Sequence, residues 1–197
     1  MDFYKKSYGP NNAVLILSGD ISIDRAMSLT KKYYSNIEKT NNTAKHTIQN
    51  PPMKTNVFVE HSNQDIRQSI WKKLYRTQSY RTSIVDGIAL DIGLKILMGG
   101  SSSLLYDKLV NKEKIFSMIG GFYQGLSKGD GYIYLYAIPI RDINSREIDS
   151  LVNEEVKSSI NNITKKMIDI EKKKYIYNSI YGMDGILKPS QIIGEAI

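Results

Sequence analysis

The hydrophobic and polar positions of the chain follow a helical period in some segments and a strand period in others. The most apolar stretch is 84–98, which contains only three charged residues. Because apolar residues occupy most of its circumference, we predict a helix buried on several sides. Gly99 and Gly100 end this helix, since glycine is common just past a helix C-terminus. The serines that follow supply an N-cap for a short amphipathic helix over 104–110.

A β-hairpin is predicted from two segments, 115–124 and 131–138, that are joined by a glycine-rich turn over 127–131. The second segment alternates with a period of two and places on one face Tyr132, Tyr134 and Tyr136. We expect this tyrosine stripe to pack under helices as one side of a sheet. Stacking against nucleic-acid bases is the alternative interpretation.

The remaining elements are predicted from short apolar runs, apolar stripes and N-caps. They are strands over 12–18, 55–60 and 66–75, and helices that start at Ser22 (to about Ile37), Asn144, Thr164 and near Ser190. Strand 66–75 has polar residues on both faces, which favours a sheet edge. This mixture predicts an α+β fold in which an antiparallel sheet packs against helices on one side.

A polar segment over 39–52 ends in Pro51 and Pro52 and is typical of a linker. We therefore expect three parts: a strand–helix over 1–38 that ends one domain, the linker over 39–52, and a second domain over 53–197 that is truncated at its end.

The net charge is +7 with a pI near 9.3, but the basic residues are spread along the chain, which disfavours nucleic-acid binding. The absence of cysteine excludes disulfides, thiolate metal sites and cysteine nucleophiles. No apolar run approaches the roughly 20 residues of a membrane span. We expect a soluble protein of the bacterial cytoplasm or periplasm.

A specific family resemblance is found at Gly99–Val110, which reads GGSSSLLYDKLV. This segment resembles the Gly-Gly-x-Ser-Ser-Arg-Leu-Tyr-x-x-Leu stretch of the insulinase/pitrilysin family of zinc metallopeptidases, which includes the mitochondrial processing peptidase and its bacterial relatives. The opening from Phe3 to Asp20 is similar to the Tyr-x-Pro-x-Asn-Ala…Gly-Asp segment that closes the first of two similar domains in that family. The resemblance extends to about residue 190. It implies two helix-backed antiparallel sheets around a substrate chamber, of which this chain supplies one nearly complete domain plus the last strand–helix of the preceding one.

The zinc chemistry of that family needs a His-x-x-Glu-His motif on a helix and a distant glutamate as third ligand. The only histidines here are His46 and His61, and neither belongs to such a motif. We therefore expect no metal ligand, no catalytic residue and no cofactor in this chain. The resemblance implies that zinc is held by an N-terminal half upstream.

The resemblance also implies residues that contact substrate. The glycine–serine segment lines the chamber in the family, and many members direct an arginine and a tyrosine at the substrate from places held here by Val110 and Ser117. The family's arginine before Leu-Tyr is replaced by Leu104. The implied substrate contacts are Gly99, Gly100, Ser101, Ser102, Ser103, Val110 and Ser117.

Our leading hypothesis is a non-catalytic C-terminal half of an insulinase/pitrilysin-like zinc metallopeptidase, not active alone. It would form part of the substrate chamber. Its partners would be the N-terminal peptidase half or a homologous subunit, and an unstructured peptide substrate. The alternative is a structural or degenerate family member with no substrate. A basic, tyrosine-rich nucleic-acid binder is a third hypothesis, for which we expect no specific binding.

Overall fold

The computed structural model describes Tyr4, residues 8–40 and residues 51–196. The chain divides into two compact units, Met1–Ile48 with Ile176–Ile197 and Gln49–Tyr175. After a 3-10 turn at Pro10–Asn12, the elements in chain order are α1 (Ile23–Tyr34), β1 (Trp71–Thr77), α2 (Ile84–Met98), α3 (Leu104–Tyr106), a π-helical turn (Asp107–Lys112), β2 (Phe116–Gln124), β3 (Gly131–Pro139), α4 (Ser145–Ile160), α5 (Lys165–Met183) and α6 (Lys188–Ala196). The domain boundaries expected from the sequence stay a prediction, and most of the expected linker (41–50) lies outside the described residues.

In the first unit, α1 begins where the sequence predicts. Ser22 is its N-cap and accepts a hydrogen bond from the backbone N–H of Arg25 at 3.3 Å. The helix ends at Tyr34, short of the predicted Ile37. The strand predicted over 12–18 is wrong, because a strand needs a neighbour to pair with and no described residue of 13–18 pairs with a strand.

The second unit contains a three-stranded antiparallel sheet in the order β1-β3-β2. The predicted hairpin is confirmed as β2 and β3, with Ile119 opposite Ala137 and a bulge near its start. The predicted edge strand is found as β1, but it runs from Trp71 rather than from 66. The strand predicted over 55–60 is wrong, since these residues pair with no strand in the described part of the chain.

The core lies between one face of this sheet and the helices. It is built from β1, β2 and β3 together with α2, the helical segment 104–112 and α4. Its buried members are Trp71, Leu97, Met98, Leu105, Leu109, Phe116, Ile119, Leu135, Ala137, Ile148 and Val152. The α+β class, with helices on one side of an antiparallel sheet, is confirmed.

Helix α2 has the predicted bounds, and Ser83 caps it by accepting a hydrogen bond from the N–H of Asp86. The prediction that it is buried on several sides is wrong. Ile84 and Val85 are 65% and 79% exposed, and burial is concentrated in the last turn. A single sheet buries one stripe of a helix, and no layer of described residues covers the rest.

The predicted packing of the tyrosine stripe is also wrong. Leu135 and Ala137 of β3 face the helices, whereas the three tyrosines lie on the opposite face and remain half-buried. There they contact each other and Phe122, with ring centroids 5.1 Å apart for Phe122 and Tyr134. We call this surface the open face; opposite residues in the register add to it Lys72, Leu74, Arg76, Met118, Gly120, Gln124 and Ile138.

Helices α4 and α5 follow their predicted N-caps, and α6 begins at Lys188, close to the predicted start near Ser190. Asn144 accepts a hydrogen bond from the N–H of Arg146 at 2.9 Å, and Thr164 accepts one from Met167 at 3.3 Å. The lysines of α5 are exposed, as their pattern predicts. No helix among the described residues is both long and apolar enough to cross a bilayer.

Candidate functional site

The segment Gly99–Ser103, which we call the Gly-Ser loop, reverses the chain after α2. The N–H of Gly99 donates to the carbonyl of Lys95 at 3.0 Å and closes the helix. Gly100 has φ +138°, a conformation that L side chains rarely adopt. The sequence predicted this turn from the paired glycines. The positive φ of Gly100 explains why a glycine occupies the second position.

The three serines of the loop have different environments. Ser103 is buried, caps α3 and donates from Oγ to the carbonyl of Gly100 at 2.6 Å. Ser101 and Ser102 are exposed. Ser103 therefore holds the loop in shape, and the other two serines are the ones that a ligand can reach.

A cleft of 240 Å³ lies beside the loop. This volume is below the roughly 300 Å³ at which ligand-binding clefts begin. Ser102 and Ser103 line it from one side, and α5 lines it from the other with Met167, Ile170, Glu171 and Lys174. Lys174 and Glu171, which both belong to α5, form an ion pair at 2.6 Å. The cleft is small, and two of the three charged residues that line it, Glu171 and Lys174, are paired with each other.

Val110 does not point at an open surface. It lies in the π-helical turn that continues α3, and its half-buried side chain packs against the core. The turn is tied to α4 by Lys108, whose Nζ lies 2.5 Å from Oε2 of Glu155. This hydrogen bond raises the pKa of Lys108 above its ordinary value.

Ser117 lies at the bulge where β2 begins, between Phe116 and Met118. It is exposed, and its Oγ donates to the carbonyl of Ile138 at 3.2 Å. The predicted substrate-contacting set is therefore divided: the Gly-Ser loop and Ser117 are at the surface, and Val110 belongs to the packing. Substrate contact by any of them stays a prediction.

The outer edge of β2 is a feature that the motif comparison did not single out. Strand β2 pairs with β3 on one side, and no described strand pairs with its other side. None of its nine residues carries a charge. The opposite edge of the sheet, β1, carries three basic residues: Lys72, Lys73 and Arg76.

Two ion pairs secure the basic edge. Lys73 lies 2.7 Å from Asp149 of α4, and Arg76 lies 2.8 Å from Asp130. Partial burial alone would lower the pKa of Lys73, but the hydrogen bonds to Asp149 and Tyr75 outweigh it, so that the pKa is raised. These basic side chains are held in defined positions on β1.

The described residues do not fit a zinc ion. They contain no group of three His, Asp or Glu side chains placed to hold a metal. His61 is exposed, and His46 lies outside the described residues. That zinc is held by another half stays a prediction.

The comparison with known families decides the identity of the chain. A family model described as "Peptidase M16 inactive domain" matches residues 1–175. The chain belongs to the M16 peptidase family. This is the insulinase/pitrilysin family that the Gly-Ser motif resembles, and the matching model describes its inactive domain.

Individual proteins are similar to this chain over part of their own length. A Helicobacter pylori protein named Zinc protease PqqE is 24% identical over 136 residues, which cover 68% of this chain and 30% of that protein. The crystal structure of a protease from Helicobacter pylori matches with a TM-score of 0.75 and 22% identity, over 98% of this chain and 46% of the other. A conserved protein from Enterococcus faecalis matches with a TM-score of 0.65 and 16% identity, over 86% and 39%. The chain thus spans less than half the length of these proteins.

Proposed function

We propose that this M16 chain forms a non-catalytic wall of a peptide-binding chamber, and that the zinc site is carried by an N-terminal half or homologous subunit. The chain would hold an extended peptide while the partner cleaves it. The observation that carries the proposal is the outer edge of β2, which is uncharged and pairs with no strand in the described part of the chain.

The two edges of the sheet differ in their fitness for pairing with another chain. Charged side chains on an edge strand discourage pairing, and β1 has three in seven residues. Strand β2 has none in nine residues and leaves one row of backbone N–H and C=O groups unpaired by any described strand. An extended peptide adds to such an edge through main-chain hydrogen bonds, while alternate side chains provide specificity.

Side chains beside this edge are suited to apolar residues of a peptide. Met118 and Phe122 of β2 are 45% and 43% exposed on the open face. The ring of Phe122 contacts the rings of Tyr132 and Tyr134 on β3. Aromatic surfaces of this kind contribute contact area at low cost in side-chain entropy.

Comparison with the relatives supports a division of labour. A relative is named a zinc protease, and this chain covers only 30% of it. The matching family model describes an inactive domain, and the described residues do not fit a metal ion. The zinc would accordingly be held by the part of such an enzyme that this chain does not represent.

A structural family member without a substrate is the second candidate. It is favoured by Val110, which packs against the core at the place where many family members carry an arginine directed at substrate. Under this alternative the β2 edge would bind no peptide.

Peptide binding by the full chain distinguishes the two candidates. The probe is a fluorescein-labelled, unstructured peptide of about 12 residues with alternating apolar side chains, measured by fluorescence anisotropy. We expect saturable binding that Met118→Lys weakens about tenfold, because a charge is then added to the β2 edge. The matched control is Leu74→Lys, which adds a lysine at a 61% exposed position on the opposite edge and should leave the affinity unchanged. Equal effects of the two substitutions, or no saturable binding, would contradict the peptide-holding role.

A further inference from the structure

A groove of 740 Å³ runs along the helix-covered side of the sheet, between α2 and α4. Its floor includes Leu97 and Leu135, which are core residues, and its α4 wall includes Val156 and Ile160. Ile160 is 50% exposed, so the groove is open to solvent along this wall. The groove belongs entirely to the larger unit and is separate from the β2 edge.

The size and lining of this groove are those of a binding site. Ligand-binding clefts have volumes of about 300–1,000 Å³ and are mainly apolar with a few polar groups. Here the polar groups include Thr77 and Gln78 near the end of β1, Asp86 at the start of α2 and Asn153 of α4. The apolar remainder would be costly to leave in water.

The α2 wall leaves room for the backbone of another helix. Ala89 and Gly93 both line the groove, and residues four apart share one face of a helix. A Cβ placed on Gly93 would meet no atom within 4 Å. Glycine weakens a helix interior, and here it occurs where the wall faces empty space. Small residues at a contact let two helices approach closely.

The charge of the lining indicates the polarity of the occupant. Asp86 is the one charged residue among the described residues that line the groove. It is exposed, lies in the first turn of α2 and accepts a hydrogen bond from Ser83 Oγ at 2.8 Å. A cation on the occupant at this end of the groove would meet a carboxylate and no opposing positive charge in the lining.

We propose that this groove binds an amphipathic α-helix of a partner protein. The helix carries aliphatic residues on the stripe that enters the groove and a lysine or arginine at the end beside Asp86. A space of 740 Å³ between two helices and over a sheet can take a third helix. This site is additional to the peptide edge of β2 and does not depend on it.

The test uses the full chain and a synthetic peptide of about 14 residues, long enough for the leucine stripe to span the groove as a helix. The stripe has leucines at helical spacing and one arginine near its end. A control peptide has the same composition with the leucines scrambled. Fluorescence anisotropy should show saturable binding of the first peptide and not of the second.

Substitutions at Gly93 locate the binding. Gly93→Leu fills the open wall and should reduce the affinity about tenfold, whereas Gly93→Ala adds one methyl and should keep it. Both are better helix formers than glycine, so the melting temperature should not fall. Because the chain has no cysteine, Gly93→Cys provides a single thiol, and bound peptide should slow its alkylation.

The charge test pairs Asp86→Asn with a peptide in which the arginine is replaced by glutamine. Either change should weaken binding several-fold, and the two together should weaken it little more than either alone. Binding that is unaffected by Gly93→Leu, equal binding of the scrambled peptide, or no protection of the thiol would overturn the proposal. A dimer of the chain alone that Gly93→Leu dissociates would assign the groove to a second copy and would overturn it as well.

Discussion

The phenol of Tyr80 donates a hydrogen bond to Oδ2 of Asp91 at 3.0 Å. Burial, followed by the effect of Asp91, raises the pKa of Tyr175 of α5, so this carboxylate of α2 acts on one tyrosine from α5 and on one from the loop before α2. Tyr123 lies edge-on to Tyr80 and donates to the carbonyl of Gln78 at 2.7 Å. Asp91 thus connects elements that the hydrophobic core alone does not connect.

We predict that Asp91→Ala destabilises the chain by about 2 kcal/mol. A hydrogen bond to a charged group contributes about 1.5–3 kcal/mol, and the phenol of Tyr80 would lose its acceptor. Asp91→Asn keeps an acceptor and should cost less. Urea unfolding monitored by circular dichroism measures both variants, and a loss below about 0.5 kcal/mol for Asp91→Ala would refute the role of this cluster.

The same cluster predicts a loss of stability in alkali. Burial, followed by the charge and hydrogen bond of Asp91, raises the pKa of Tyr80 above its ordinary value. A group whose pKa is raised on folding contributes stability that is intact below its unfolded pKa, about 10 for tyrosine, and is lost as the pH rises toward the folded pKa. Unfolding free energies between about pH 8 and pH 11 should therefore fall less steeply in Tyr80→Phe than in the natural chain. Parallel curves would contradict this linkage.

Lys114 has φ +52°, the only positive φ of a non-glycine residue among the described residues. Such a conformation costs an L-residue about 1–2 kcal/mol, and glycine adopts it freely at an entropic cost of about 0.5–1 kcal/mol. We predict that Lys114→Gly stabilises the chain by about 0.5 kcal/mol. Lys112→Gly, in the π-helical turn, is the matched control and should destabilise it. The reverse order of thermal midpoints would argue against strain at Lys114.

We predict a large loss of stability on truncation of Leu105, because this residue is fully buried in the helical segment beside the sheet. Leu105→Ala should cost about 2–5 kcal/mol because it removes apolar contacts and leaves a cavity. Leu126 is 52% exposed, and Leu126→Ala should change stability by less than about 0.5 kcal/mol. Chemical denaturation of the two variants checks the contrast. Similar losses of unfolding free energy in the two variants would contradict the placement of Leu105 in the core.

Elements with local signals were predicted well from the sequence. The bounds of α2 follow from a mostly apolar run and two terminal glycines, which lie within the same stretch of sequence. The β2–β3 hairpin follows from alternation around a glycine-rich turn. In both cases the interactions that define the element are formed by residues close together in the chain.

Elements that depend on distant partners were predicted poorly. The runs at 12–18 and 55–60 look like strands, but a strand exists only where another strand provides its hydrogen bonds. Alternation correctly placed the three tyrosines of β3 on one face and could not tell which face the helices cover. That choice depends on where α2 and α4 pack, which no local pattern encodes.

The candidate site shows the same limit. The glycine–serine motif led to the family, and the paired glycines predicted the turn that the structure contains. The motif could not reveal that Val110 packs against the core or that Asp91 accepts a hydrogen bond from Tyr80. The uncharged edge of β2 was visible as a sequence without charges, but its significance required the strand order.

Reconstitution with a zinc-bearing half tests the central claim most directly. The full chain is mixed with a purified M16 N-terminal half that carries the His-x-x-Glu-His motif, and cleavage of an unstructured fluorogenic peptide is measured for each protein alone and for the mixture. We predict association and cleavage by the mixture only, with no hydrolysis by this chain alone. Hydrolysis or stoichiometric zinc binding by this chain unaided, or a pair that neither associates nor cleaves, would contradict the account.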